Sequence, residues 1–388
     1  MENAHLVVDC DFPGGNILVN RIDADLIEVQ QDIRDTREGW FYWYFRVRNA
    51  AGRVLQVHFT GNDMIGYGRD VIGLLGPAAS LDGAHSWRWL GRQCVEGQNF
   101  SFAVPHDCNE VRFSMGMPYL QANLDDFLHK HEDQRSLKKE ILCTSRKGRP
   151  VEVLYFGQEA EKARHYVALS VRHHCCEMMA SYELEGIIEF TLGDGESSRW
   201  LRDQVAFLAV PFVDKDGVED GDQGKLRHPY DHGQDYLRES IYPETGTLRR
   251  LLPEWCRGHL DMALDLHCSM LRGVTDEYTY FVGEPEPGHK LWEGVEALGT
   301  ILESNRRGII PYYRKNNLPY GESWNIPIDR GVRLGFPGWA NETFPSVKVS
   351  NIIEFPYALA SGVEVNPESA RAFGADLANA IALFFQTG

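Results

Sequence analysis

This sequence predicts an α/β fold, with a mostly parallel or mixed sheet flanked by helices and preceded by an all-β sandwich. Three observations carry that prediction. Beyond residue 150, near-continuous apolar runs alternate with stretches of helical character, the pattern of strands covered on both faces. The first 115 residues or so carry β-branched and aromatic runs joined by turns. The length of 388 residues exceeds one average domain, so two are predicted: a β-sandwich over 1–115 and a larger α/β unit over 116–388.

The N-terminal strands are clearest in Trp40-Phe41-Tyr42-Trp43-Tyr44-Phe45-Arg46-Val47-Arg48 and Val54-Leu55-Gln56-Val57-His58-Phe59, with Asn49-Ala50-Ala51-Gly52 as the turn between them. A run of six aromatics can form a glycan or peptide platform, but alternating side chains buried between sheets are the commoner cause, and core is the reading adopted. Residues 123 to 141 turn helical and strongly charged, with Leu124, Phe127, Leu128, Leu137 and Ile141 as scattered apolar positions. Buried strands are then expected around Val151 to Phe156, Tyr166 to Val171, Val205 to Val210, Ala263 to Leu266 and Val349 to Ile353. The last helix starts at Asn366 as N-cap with Pro367 in the first helical position, and it sets Phe373, Leu377, Ile381 and Phe384 on one side.

Composition narrows the function. A chain 43% hydrophobic and 24% charged is ordinary for a soluble globular protein, and no apolar run approaches the ~18 residues of a membrane helix. The start, Met1-Glu2-Asn3-Ala4-His5, carries an acid where a secretory signal carries a base, so a cytoplasmic location is expected. A formal net charge of −17 opposes nucleic acid and anionic membrane as partners. The eight cysteines show no regular spacing and are read as reduced, with adjacent Cys175 and Cys176 as small buried filler.

Three distant segments carry the chemistry: His174-Cys175-Cys176-Glu177, His267 after Asp265-Leu266, and Glu354 at the end of Asn351-Ile352-Ile353. If they converge, two histidines and a carboxylate hold one zinc ion with an open fourth position, and Glu354 can act as base on a water there. His-x-x-Glu alone is weak. A second copy, His129-Lys130-His131-Glu132, lies in the charged helix and reads as solvated. His173 competes with His174 on local spacing. Asp265 falls on the same side of its strand as His267, where it can hold the second imidazole nitrogen. Glu354 closes a strand of isoleucines, where an acid is either ion-paired or functional. The run from Asp214 to Arg227 is acidic and glycine-rich; Val218 breaks a calcium-loop pattern, so it is read as an active-site loop.

In this order these segments resemble the M14 zinc metallocarboxypeptidases, in particular the cytosolic-carboxypeptidase-like branch, over nearly the whole chain. Gly14-Gly15-Asn16-Ile17 and Trp40-Phe41-Tyr42-Trp43 look like that branch's entry motifs. Val171-Arg172-His173-His174-Cys175-Cys176-Glu177 matches its Ala-Arg-Val-His-Pro-Gly-Glu, which selects His174. Asp214-Lys215-Asp216-Gly217-Val218 matches Asn-Pro-Asp-Gly-Val, Asp265-Leu266-His267-Cys268-Ser269 matches the second histidine segment, and Ile353-Glu354 matches the catalytic glutamate. The resemblance implies hydrolysis at the C-terminal tails of peptides or proteins, with zinc on His174, Glu177 and His267 and with Glu354 as general base. It further implies an arginine for the oxyanion, best matched by Arg227, although a strict alignment puts Gly224 there with Lys225 beside it. Asp231 matches the acid that orients the first zinc histidine.

One departure stands out. Where the family has Asp-x-Asn-Arg to grip the terminal carboxylate, this chain has Asp231-His232-Gly233-Gln234, and neither Gly233 nor Gln234 can form a charged fork with a carboxylate. Between Gly321 and Tyr357 there is no tyrosine to match the family's substrate-capping one. Gln234 is retained as a substrate contact, and Arg314, Lys315, Arg330 and Arg333 in the approach to Glu354 are candidate substitute cations, with Arg330 and Arg333 foremost. The alternatives are a zinc amide or acyl hydrolase or endopeptidase that needs no free carboxylate, and a non-catalytic peptide-binding protein.

Overall fold

The structure is a computed structural model that describes residues 5–36, 40–61, 71–273, 275–283, 290–325 and 334–387. Two five-stranded sheets come first. One orders Val7–Asp9, Tyr44–Arg48, Glu110–Ser114, Ala78–Ser80 and Arg88–Trp89; the other orders Leu18–Asp23, Leu26–Gln30, Val54–Phe59, Asn99–Ala103 and Val95–Glu96. The turn at Asn49 and Gly52, with φ of 61° and 70°, carries the chain from one sheet to the other, so the two aromatic strands are not a hairpin. Their rings meet between the sheets: Trp43 lies 4.9 Å from Phe59 and 6.3 Å from Phe100, and Phe113 lies 5.1 Å from Phe100.

All six aromatics from Trp40 to Phe45 are buried. Complete burial of a large apolar side chain contributes about 2–3 kcal/mol, so this segment is a main anchor of the sandwich. It is also tied to the rest of the chain. The Phe41 ring meets Tyr357 at 5.8 Å, and the Tyr42 amide donates to Gln223 Oε1 at 2.8 Å.

The second part is built on a seven-stranded mixed sheet in the order Leu137–Thr144, Pro150–Gly157, Val205–Val210, His165–Val171, Met262–Cys268, Val349–Phe355, Tyr280–Phe281. The four strands from Val205–Val210 to Val349–Phe355 run parallel; the others are antiparallel to their neighbours. Alternation places Val167, Leu169 and Val171 against helices Met179–Leu192 and Pro367–Thr387. Tyr166, Ala168 and Ala263 face the other way, toward helices Pro243–Trp255 and Phe336–Thr343. Asn366 caps the last helix as expected, its Oδ1 accepting from Ser369 N at 2.9 Å.

The expected helix over 123 to 141 is corrected by the structure. A helix spans only Gln121–Lys130, and Leu137–Thr144 is the edge strand of the large sheet, with Ile141 55% exposed. Leu137 and Ile141 four residues apart mimic a helical face, but a turn at Ser145 to Gly148 folds the segment onto Pro150–Gly157, and pairing overrides the local pattern.

Helix Met179–Leu192 holds a buried acid, Glu183, neither of whose carboxylate oxygens has a hydrogen-bond partner among the described residues. Burial pushes its pKa up from 4.5 to about 8. Below about pH 4.5 the group is neutral whether the chain is folded or not and contributes nothing; between there and about 8 only the unfolded chain ionises it, so stability falls as pH rises. Each tenfold change in proton affinity is worth about 1.4 kcal/mol, so the loss is on the order of a few kcal/mol. Glu183→Gln should therefore leave stability unchanged near pH 4.5 and raise it at pH 8, read as urea midpoints at both pH values; equal midpoints at pH 8 would contradict a protonated Glu183.

Candidate active site

The site forms where the parallel strands end, the usual crevice of an open α/β sheet. Strand His165–Val171 stops at Arg172, whose φ of 62° turns the chain sharply. The buried Arg172 guanidinium then pins the turn, Nε donating to Cys175 O at 2.9 Å and Nη1 to Tyr119 O at 3.0 Å and Ser181 Oγ at 3.1 Å. The next helix starts only at Met179, and Glu177 sits in the turn before it, with its amide donating to His174 O at 3.2 Å. This geometry sends the two histidines in opposite directions. The His173 side chain is fully buried, whereas that of His174 keeps 19% exposure.

His174, Glu177 and His267 meet. His174 Nδ1 lies 3.0 Å from Glu177 Oε1, and His267 Nδ1 lies 2.8 Å from Glu177 Oε2. Each outer nitrogen is backed by an acid: His174 Nε2 lies 3.2 Å from Asp231 Oδ1, and His267 Nε2 lies 2.8 Å from Asp265 Oδ2. Two groups could hold a metal among the described residues, His174-Glu177-His267 and His173-Asp265-His267. The second is wholly buried, while the first includes the partly exposed His174.

The donor set suits a divalent ion. Two imidazoles and a carboxylate are the ligands that zinc takes. Glu177 Oε2 is buried and, despite its closeness to His267, has no aligned hydrogen bond. The electrostatics favour positive charge at this point. Burial would lower the pKa of His174, but Asp231 and Glu177 outweigh it and raise it to about 9; His267 is raised in the same way by Asp265 and Glu177. Burial works against ionised Glu177, yet Lys225 and the two histidines hold its pKa well below the usual range.

Glu354 pairs with His267 across the parallel strands, so both side chains leave the same face. Its Oε2 is buried without a hydrogen-bond partner among the described residues, and burial, with Glu177 adding and His267 and Lys225 opposing, brings its pKa to about 7. On the other side of Glu354, in register, stands Tyr280, a buried residue that local pattern does not single out.

Arg227 does not reach this centre. Its guanidinium is enclosed by acids, 2.5 Å from Asp214, 2.9 Å from Asp222 and 3.6 Å from Asp35, and it braces the loop. The cation in the site is Lys225, with Nζ 2.6 Å from Glu177 Oε1, 3.4 Å from Cys268 O and 5.7 Å from the Trp40 ring centre. The reason lies one residue earlier. Gly224 has φ of 80°, and a Cβ there would stand 2.6 Å from Cys175 N and 2.8 Å from Cys175 Sγ, so position 224 cannot carry a side chain. A cation two residues after Gln223 was readable in the sequence; its direction was not.

At the departure from the family, Gly233 packs on the first histidine: a Cβ would lie 3.2 Å from Asp231 Oδ1 and 3.3 Å from His174 Nε2. Gln234 lines a separate 510 Å³ groove with Arg146, Tyr230 and Arg238. Arg314 lies 2.8 Å from Glu296, on a short 3-10 turn with Lys315. Arg330 and Arg333 lie outside the described residues. Also unforeseen is the chain from Tyr236 through His173 to Asp265, whose contacts measure 2.7 Å and 2.8 Å.

No family profile matches the chain. Curated relatives do. Cytosolic carboxypeptidase 3 of Mus musculus is 26% identical over 242 residues, covering 55% of this chain and 24% of its own, and the Bos taurus protein of the same name is 29% identical over 244 residues with the same coverage. The chain thus spans about a quarter of the length of these relatives. Among solved structures, a metallo-carboxypeptidase from Burkholderia cenocepacia aligns over 99% of this chain and 100% of its own with TM-score 0.79 and 19% identity. One from Pseudomonas aeruginosa aligns over 98% and 99% with TM-score 0.78 and 19% identity. These structures share the fold, sandwich included, and no helix among the described residues is long and apolar enough to cross a membrane. The chain is thus similar in sequence to cytosolic carboxypeptidases over about half its length and shares the fold of metallo-carboxypeptidases along nearly all of it.

Proposed function

We propose that this chain is a zinc-dependent peptidase of the carboxypeptidase type, acting in the cytoplasm on the C-terminal ends of peptides or proteins. The observation that carries the reading is that His174 Nδ1, His267 Nδ1 and the Glu177 carboxylate turn to one point while Asp231 and Asp265 back the outer nitrogens. That arrangement supports one zinc ion on His174, Glu177 and His267, in preference to His173-Asp265-His267, which has no exposed member to leave a position for substrate. When bound there, zinc would supply Lewis acidity, polarising the scissile carbonyl and acidifying a water.

The protein's own groups then have separate tasks. Glu354, with its pKa near 7, is suited to take a proton from the attacking water on Oε2 and return it to the leaving amine. Lys225 is suited to meet the negative charge that develops on the carbonyl oxygen, the task that the resemblance implies for Arg227. Asp231 and Asp265 keep the imidazoles oriented with Nδ1 inward. A second reading, an amide hydrolase or endopeptidase needing no free carboxylate, is favoured by Gly233 and Gln234, since the first lies against His174 and the second lines a different groove.

Four measurements test this. Chelation should abolish peptide hydrolysis and zinc restore it. Glu354→Gln should lower kcat by about 10²–10⁴-fold with zinc content unchanged, and full activity would remove Glu354 as the base. Lys225→Met should cost about 10²–10³-fold, mostly in kcat, whereas Arg227→Gln should act mainly on thermal stability; the reverse outcome would return the role to Arg227. Comparing a peptide with its C-terminal amide separates the two readings, because equal kcat/KM for both would exclude carboxylate recognition.

A further inference from the structure

We infer that Tyr236, His173 and Asp265 form a one-directional hydrogen-bond relay that holds His267 with its Nδ1 lone pair turned inward, making His173 and Tyr236 positioning residues for the metal. The inference rests on the ligand set proposed above. All three groups of the relay are buried, at 1%, 0% and 2% exposure.

The direction follows from counting donors. The Tyr236 hydroxyl lies 2.7 Å from His173 Nε2, and because the Asp265 carboxylate can only accept from Nδ1, a singly protonated His173 ring leaves Nε2 to accept the Tyr236 O–H. Burial pushes the phenol pKa well up, which keeps that proton in place. His173 Nδ1 must then carry the ring proton, and it donates to Asp265 Oδ1 at 2.8 Å. Ser170 Oγ donates to the same oxygen at 2.8 Å. Asp265 Oδ1 is therefore saturated, and Oδ2, 2.8 Å from His267 Nε2 though not aligned for a hydrogen bond, is the carboxylate oxygen that faces that ring. A proton on His267 Nε2 leaves Nδ1 with a free lone pair toward Glu177.

The geometry fits a brace better than a second metal site. The His173 and His267 rings lie nearly parallel, 3° apart at 6.1 Å, with Asp265 bonded to one and facing the other. Position 173 lies beside a proposed ligand yet points away from it, held by the turn at Arg172. The strand register adds rigidity, since Ser170 and Asp265 are direct partners on neighbouring parallel strands. Orienting partners behind a metal-bound histidine are worth about 10–100-fold in metal affinity.

The test uses the full chain labelled with ¹⁵N-histidine, with imidazole tautomers read by NMR and zinc affinity measured by competition with a chromogenic chelator. The expected result is a His173 proton on Nδ1, zinc binding weakened about 10–100-fold in His173→Val and several-fold in Tyr236→Phe, and a double variant no worse than His173→Val alone. His173→Gln keeps one donor and one acceptor and should recover most of the affinity. Tyr236→Phe removes a single oxygen and guards against misfolding of the His173 variants. A His173 proton on Nε2, or wild-type zinc affinity in both single variants, would overturn the relay. A wild-type protein with the expected tautomer that binds no zinc would overturn the ligand set instead.

Discussion

Four buried carboxylates, Glu177, Asp231, Asp265 and Glu354, crowd around two imidazoles at the ends of the parallel strands, and the rest of the structure depends on how that charge is balanced. Burying an ionised acid without compensation costs several kcal/mol, so such a cluster persists only when cations and donors converge on it. Lys225 supplies one cation, backbone amides of Leu226 and Gly233 serve Asp231, and Ser170 and His173 serve Asp265. The excess negative charge that remains draws His174 and His267 toward higher pKa, so the cluster favours positive charge between them.

The N-terminal sandwich takes part in this arrangement. Its aromatic run ends at Trp40, whose ring lies beneath the Lys225 ammonium, and Gln223, two residues before that lysine, binds the Tyr42 backbone on both sides. Asp35 accepts from the amides of Gln223 and Gly224 at 2.9 Å each. The loop that aims Lys225 is thus held by residues nearly two hundred positions earlier in the chain. A fold that shares both parts along its whole length with solved metallo-carboxypeptidases has reason to keep them together.

Two glycines of the site stand where a side chain would meet its neighbours. Position 224 is closed to any side chain by Cys175, so the cation comes from its neighbour. Position 233 lies so close to His174 and Asp231 that an added Cβ would crowd both. Arg227 is consumed by three acids in bracing the acidic loop.

Much of this was legible in the residues. Near-continuous apolar runs marked the buried strands from Val151 to Ile353 because burial on both faces shows in local composition, and the His-x-x-Glu, Asp-x-His and strand-end glutamate segments marked the side chains that meet because their spacing belongs to one turn or one strand. The edge strand Leu137–Thr144 was misread as helix because its partner strand, not its own pattern, defines it. Local spacing left side-chain direction open, and the motif resemblance selected His174 without giving a reason. His174 rather than His173 faces the open side, and Lys225 rather than Arg227 reaches Glu177, because the φ values at Arg172 and Gly224 and the carboxylates of remote segments set where each charge points. Composition and spacing determine which groups are available; only the packing of distant strands decides which of them meet.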